Sequence, residues 1–130
     1  MPVPPSVVPR AGLSSYAAGW QARDRLRQQR AAEWRSRMEA CLPQVARMLA
    51  DDFGATRVLL FGSFARGIAV PGSDIDLLVD GLPMERLIEA TVRAERLLAE
   101  ARVDLVPADQ IRPEVMTEAL AEGVLLHDGG

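Results

Sequence analysis

Two aspartates separated by one residue, Asp74 and Asp76, stand in DIDLLVD (Asp74 to Asp80), a segment that alternates sharply between acidic and apolar side chains. On an extended chain, residues i and i+2 project from one face, so the two carboxylates lie side by side, roughly 6 to 7 Å apart at Cα for a rise near 3.3 Å per residue. Oxygen ligands so placed suit Mg²⁺, which is held by one or two carboxylates together with substrate phosphates. Left alone, the pair would repel and raise one pKa, a cost that a cation removes. The same spacing also occurs on an ordinary solvated strand face. Upstream, Gly62 and Ser63 end an apolar run. A strand that turns through Gly-Ser into a helix offers free backbone N–H groups and a hydroxyl to phosphate oxygens; a tight turn at Gly62 and an N-cap at Ser63 are the plain alternatives. Farther on, Asp104 interrupts the apolar run Val103 to Val106. A carboxylate there is costly unless it binds metal or pairs with an arginine such as Arg102 or Arg66.

These residues need elements to hold them. Val58 to Phe61 (VLLF) is short, apolar and bounded by glycines, which predicts a strand buried on both faces. A short helical turn over Phe64 to Arg66 follows. Asp74 to Asp80 predicts a second strand, with Asp74, Asp76, Leu78 and Asp80 on one face and Ile75, Leu77 and Val79 on the other. After Gly81, helical spacing runs through Met84, Leu87, Ile88, Thr91, Ala94, Leu98 and Ala101, with Pro83 at its start. Val103 to Val106 is a third strand. Pro113 opens a last helix through Leu120, Gly123 stops it, and Val124 to Leu126 is a short edge strand. The expected architecture is α+β, with a small mixed β-sheet and flanking helices.

A long helical arm precedes this body. From Ser14, a candidate N-cap, a stripe at Tyr16, Trp20, Arg23, Arg27, Arg30, Trp34, Arg37, Cys41, Val45 and Met48 keeps to three- and four-residue steps. Pro43 must kink this helix or restart it, and Gly54 ends it. Residues 1–13, punctuated by proline, read as a flexible tail. The arm's arginines and aromatics allow three readings: a solvated face, a phosphate or RNA contact, or a face that docks a partner protein.

The pattern Gly62-Ser63, ten residues, Asp74-x-Asp76, then Leu77 and Val79, resembles the signature of the polymerase-β-like nucleotidyltransferase superfamily. Within it, the chain is similar to the minimal nucleotidyltransferases that act as antitoxins to HEPN-type RNase toxins. The resemblance covers about residues 40 to 127, including the closing GVLLHD, and divides the chain into tail (1–13), arm (14–39) and nucleotidyltransferase domain (40–130). It implies transfer of AMP from ATP to a hydroxyl, a tyrosine, on a partner toxin. It implies that Asp74 and Asp76 hold two Mg²⁺ ions and that Asp104 completes the metal site and receives the acceptor's proton. Gly62 and Ser63 would hold the β- and γ-phosphates, with Arg66 and Ser73 as further nucleotide contacts. Two rivals remain: an antitoxin acting by contact alone, and an enzyme acting on a small molecule of the aminoglycoside type.

Composition narrows the field. A chain of 130 residues leaves no room for a separate substrate domain, so a large acceptor must be held partly by a partner. Lone Cys41 and lone His127 exclude an intramolecular disulfide and a Cys/His zinc site. With no apolar run of membrane-spanning length and no basic leader, a cytoplasmic setting is expected. Residues 1–50 hold eight arginines against three acids, and residues 51–130 hold seven against fifteen. Direct nucleic-acid binding is not expected of so acidic a body; Asp80 and Asp109 read as turn residues, and His127 as structural.

Overall fold

The computed structural model describes residues 10–99 and 101–129, with side chains from residue 18 onward. Its first element, α1 (Arg10–Phe53), is a single helix of 44 residues, about 66 Å long at 1.5 Å per residue. Residues 10–13, expected in the tail ahead of a Ser14 N-cap, are already helical; residues 1–9 of the expected tail lie outside the described residues. Pro43 neither splits nor restarts it. That proline is exposed while Leu42, Val45 and Ala46 beside it are buried, so the lost hydrogen bond falls on the wet side, where water can satisfy the carbonyl. Gly54 ends the helix at φ 77°, with the Gly54 N–H bonded to Ala50 O (3.2 Å) and Ala55 N–H to Leu49 O (2.9 Å).

Four strands follow: β1 (Arg57–Phe61), β2 (Ile75–Asp80), β3 (Val103–Pro107) and β4 (Val124–Asp128), in the order β3-β2-β1-β4. The sheet is mixed, β2 and β3 being parallel and the other pairs antiparallel. A four-residue helix, α2 (Gly62–Ala65), leaves β1 directly; α3 (Leu87–Leu97) links β2 to β3, and α4 (Pro113–Glu122) links β3 to β4. Alternation along the strands divides the sheet as its sequence requires. Val58, Leu60, Ile75, Leu77, Val79, Val103 and Leu105 face the core with α1 and α3. Leu59 and Leu78 face the other way, against Ala119 of α4.

Two expectations shift. Core contact along α1 starts at Ala31 and runs through Trp34, Met38 and Leu42, so Trp34 belongs to the core while Trp20 is 52% exposed beneath the Arg23 guanidinium. On α3 the buried residues are Ala90 and Ala94, followed by Leu98 just past its end, whereas Ile88 is 80% exposed. Small alanines let the helix lie close to the sheet, which turns the larger Ile88 outward. Gly123 stops α4 without a left-handed turn (φ −73°); a Cβ there would stand 2.8 Å from Leu59 Cγ, so close packing demands the glycine. Among the described residues no helix is long and apolar enough to cross a membrane.

Candidate active site

Strand register brings the predicted residues together. Phe61 pairs with Asp76 across β1–β2, and Asp76 pairs with Asp104 across β2–β3. Neighbouring strands are about 4.8 Å apart, so Asp76 and Asp104 form one row on the face that α4 covers only in part. Asp74 stands exposed, one residue before β2. Gly62 follows Phe61 at φ 75°, and a Cβ on it would collide with the Asp76 carboxylate. Only glycine lets the strand-to-helix turn pass so close to that carboxylate.

Burial raises the pKa of Asp76 to about 6 from 3.8, with further upward pressure from Asp104 and then Asp74, and a downward pull from Arg66. Three acidic groups on one sheet end with one arginine nearby is an arrangement that a cation relieves. The donor set, carboxylate oxygens only, fits Mg²⁺. Among the described residues, no three carboxylate, imidazole or thiolate side chains close on one point; phosphate oxygens would have to supply the remaining ligands, as Mg²⁺ sites commonly require.

The other candidates occupy mixed positions. Ser63 is not the N-cap of α2, since that position is Phe61, and no side-chain cap is made there. Arg66 bonds through Nη1 to Glu118 (3.3 Å) and Glu122 (3.2 Å) of α4, so it ties α2 to α4. The Ser73 hydroxyl accepts the Val70 N–H at 3.2 Å, closing the turn ahead of Asp74. Asp104 is exposed and forms no ion pair among the described residues, so the burial cost inferred for it does not apply, nor does pairing with Arg102 or Arg66. Asp80 is no simple turn residue: Arg57 Nε stands 2.5 Å from its Oδ2, without an aligned N–H, as an ion pair. His127 pairs with Val58 on the edge strand. A cleft of about 490 Å³ between α1 and α3 contains none of these groups.

Three supporting contacts were not legible in the sequence. Arg35 Nη1 donates to Ala69 O at 2.7 Å, and Trp34 meets Phe64 edge-on at 5.7 Å between centroids. Glu95 accepts the Val103 N–H at 3.0 Å, just before Asp104. Arg35 lies one step off the arginine stripe, and the Glu95 contact, made to a backbone group, leaves no charge pattern to read.

Known proteins resemble the chain in sequence and in fold. A solved structure described as a putative minimal nucleotidyltransferase superposes with a TM-score of 0.53 at 38% identity, covering 69% of this chain and 89% of that one. Protein adenylyltransferase MntA of Thermococcus cleftensis is 33% identical over 89 residues, 67% of this chain and 90% of the relative. A tri-AMPylated Shewanella oneidensis HEPN toxin in complex with MNT antitoxin matches in fold, with a TM-score of 0.56 and 20% identity over 70% of this chain and 72% of that one. The nucleotidyltransferase domain profile matches residues 42–126, the stretch that holds the glycine turn and all three aspartates, and the chain therefore belongs to the nucleotidyltransferase family.

Proposed function

We propose that the protein transfers AMP from ATP to a hydroxyl, a tyrosine side chain, of a HEPN-type toxin and so acts as its antitoxin. The observation that carries this reading is the row of Asp76 and Asp104 in strand register with Asp74 alongside, set against the Gly62 turn. Its adenylyl specificity and partner are supported by the likeness to an MntA adenylyltransferase and to an MNT antitoxin in complex with a HEPN toxin. Asp74 and Asp76 would hold two Mg²⁺ ions, and Asp104 would complete the metal site. When bound, the metal ions supply charge neutralisation at the attacking and leaving oxygens around the α-phosphorus.

The chain's own groups do the positioning. Gly62 brings the backbone of the turn to the carboxylate row, so Ser63 and the first N–H groups of α2 can receive the β- and γ-phosphates. Arg66, already near enough to lower the Asp76 pKa, adds positive charge at that end. Asp104, exposed and without an ion pair among the described residues, can take the acceptor's proton as its oxygen attacks. Pyrophosphate then leaves in line. Work of this kind is mostly orientation and electrostatics.

Intact mass of a HEPN-type toxin incubated with the protein, ATP and Mg²⁺ tests the reading. Wild type should add one or more AMP units, and Asp104→Asn should slow addition by about 10²–10⁴-fold while still binding the toxin. An unmodified toxin that is nonetheless neutralised would replace enzymology with binding alone.

A further inference from the structure

The family match begins at residue 42, yet an earlier turn of α1 reaches the loop that carries the candidate site. Trp34 is buried against Phe64 of α2. Next to it, Arg35 donates to the carbonyl of Ala69, midway along the loop between α2 and β2. Ala69 is buried, while Ile68 and Val70 on either side are 63% and 52% exposed. From Gly67 to Ser73 the other hydrogen bonds are short-range: Gly67 N–H to Phe64 O (3.1 Å), Ile68 N–H to Ser63 O (3.1 Å), Ser73 N–H to Val70 O (2.9 Å) and Val70 N–H to Ser73 Oγ (3.2 Å). Strand pairing resumes only at Ile75. Between Gly67 and Asp74, the Arg35 bond is the one side-chain hydrogen bond from another element among the described residues.

We propose that Arg35 is a positioning residue for the nucleotide site: from outside the family match, it fixes the loop that joins α2, which carries Ser63, to Asp74. This rests on the proposed function. The helix does not need Arg35 to stay docked, because Ala31, Trp34, Met38 and Leu42 bury their side chains and Arg35 lies half-exposed at the rim. A guanidinium donating to a carbonyl is a charge-assisted bond, stronger than a neutral one. Losing it should let the loop open on the order of tenfold more often.

Arg35→Met keeps the aliphatic stem and removes every donor; Arg35→Lys keeps one charged donor. In Arg35→Met, amide exchange at Ile68 and Ser73 should accelerate about tenfold while Val58 to Leu60 in the central strand keep wild-type protection. Calorimetry should show Mg·ATP affinity weakened by a similar factor, and Arg35→Lys should recover part of both effects. Wild-type exchange and affinity in Arg35→Met would overturn the proposal. So would an unfolded variant or equal acceleration in β1, either of which would make Arg35 a general structural residue. A wild-type protein that fails to bind Mg·ATP would instead overturn the function proposed for the site, and loop exchange would still report whether Arg35 holds the loop.

Discussion

Asp76 carries the electrostatic cost of the site. Its pKa is raised from 3.8 to about 6, first by burial and then by Asp104 and Asp74. In metal-free protein the folded state therefore binds this proton more tightly than the unfolded chain does. Stability from protonation is fully present below about pH 3.8 and is lost as pH rises through about 6. Thermal unfolding in a chelator should accordingly show a midpoint that falls across that window, and Asp76→Asn should flatten the fall. A second change at this scale is Gly62→Ala. The left-handed backbone alone costs about 1 kcal/mol, and the added methyl must push the Asp76 carboxylate aside. We expect a modestly lowered melting temperature and AMP transfer reduced by at least tenfold, measured by intact mass of the acceptor.

At the scale of elements, α1 changes character along its length. Residues 21–30 are all exposed, and burial starts at Ala31. Removing residues 1–30 should leave the melting temperature nearly unchanged. Removing residues 1–39 deletes Trp34 and Met38 from the core, and losing a buried tryptophan side chain alone costs about 3–5 kcal/mol; circular dichroism should show a far less stable or unfolded protein. Periodicity made the strands and their inward faces readable, because DIDLLVD and VLLF permit one pleated arrangement each. The Asp74 and Asp76 pair was equally readable, since strand spacing converts sequence separation into geometry, whereas the place of Asp104 beside them came from the family resemblance, because the β2–β3 register is not written in either strand alone. Helix faces were less so: a stripe drawn through Arg30, Trp34 and Arg37 ran along the edge of the true contact face, and on α3 large apolar residues outweighed Ala90 and Ala94. The contacts of Arg35 and Glu95 lay beyond reach, because each joins a side chain to a backbone group and nothing in residue type marks the partner.

For the whole molecule, ligand binding and folding are linked, since a ligand that binds only the folded form stabilises it as RT ln(1 + [L]/Kd). At 100 times Kd, Mg·ATP should add about 2.7 kcal/mol, read as an upward shift in melting temperature. ATP with chelator should give little shift, and Asp74→Ala with Asp76→Ala should give none. The strand order has a separate consequence. β4, from the far end of the sequence, covers the open side of β1, whose residues Val58, Leu59 and Leu60 are all buried. Until β4 arrives, a newly made chain presents an apolar row of unpaired backbone groups, the kind of template on which strands from separate molecules join. Shortening the protein by residues 124–130 should therefore leave the acidic row intact in its own strands, yet send the protein into oligomers or aggregates as concentration rises.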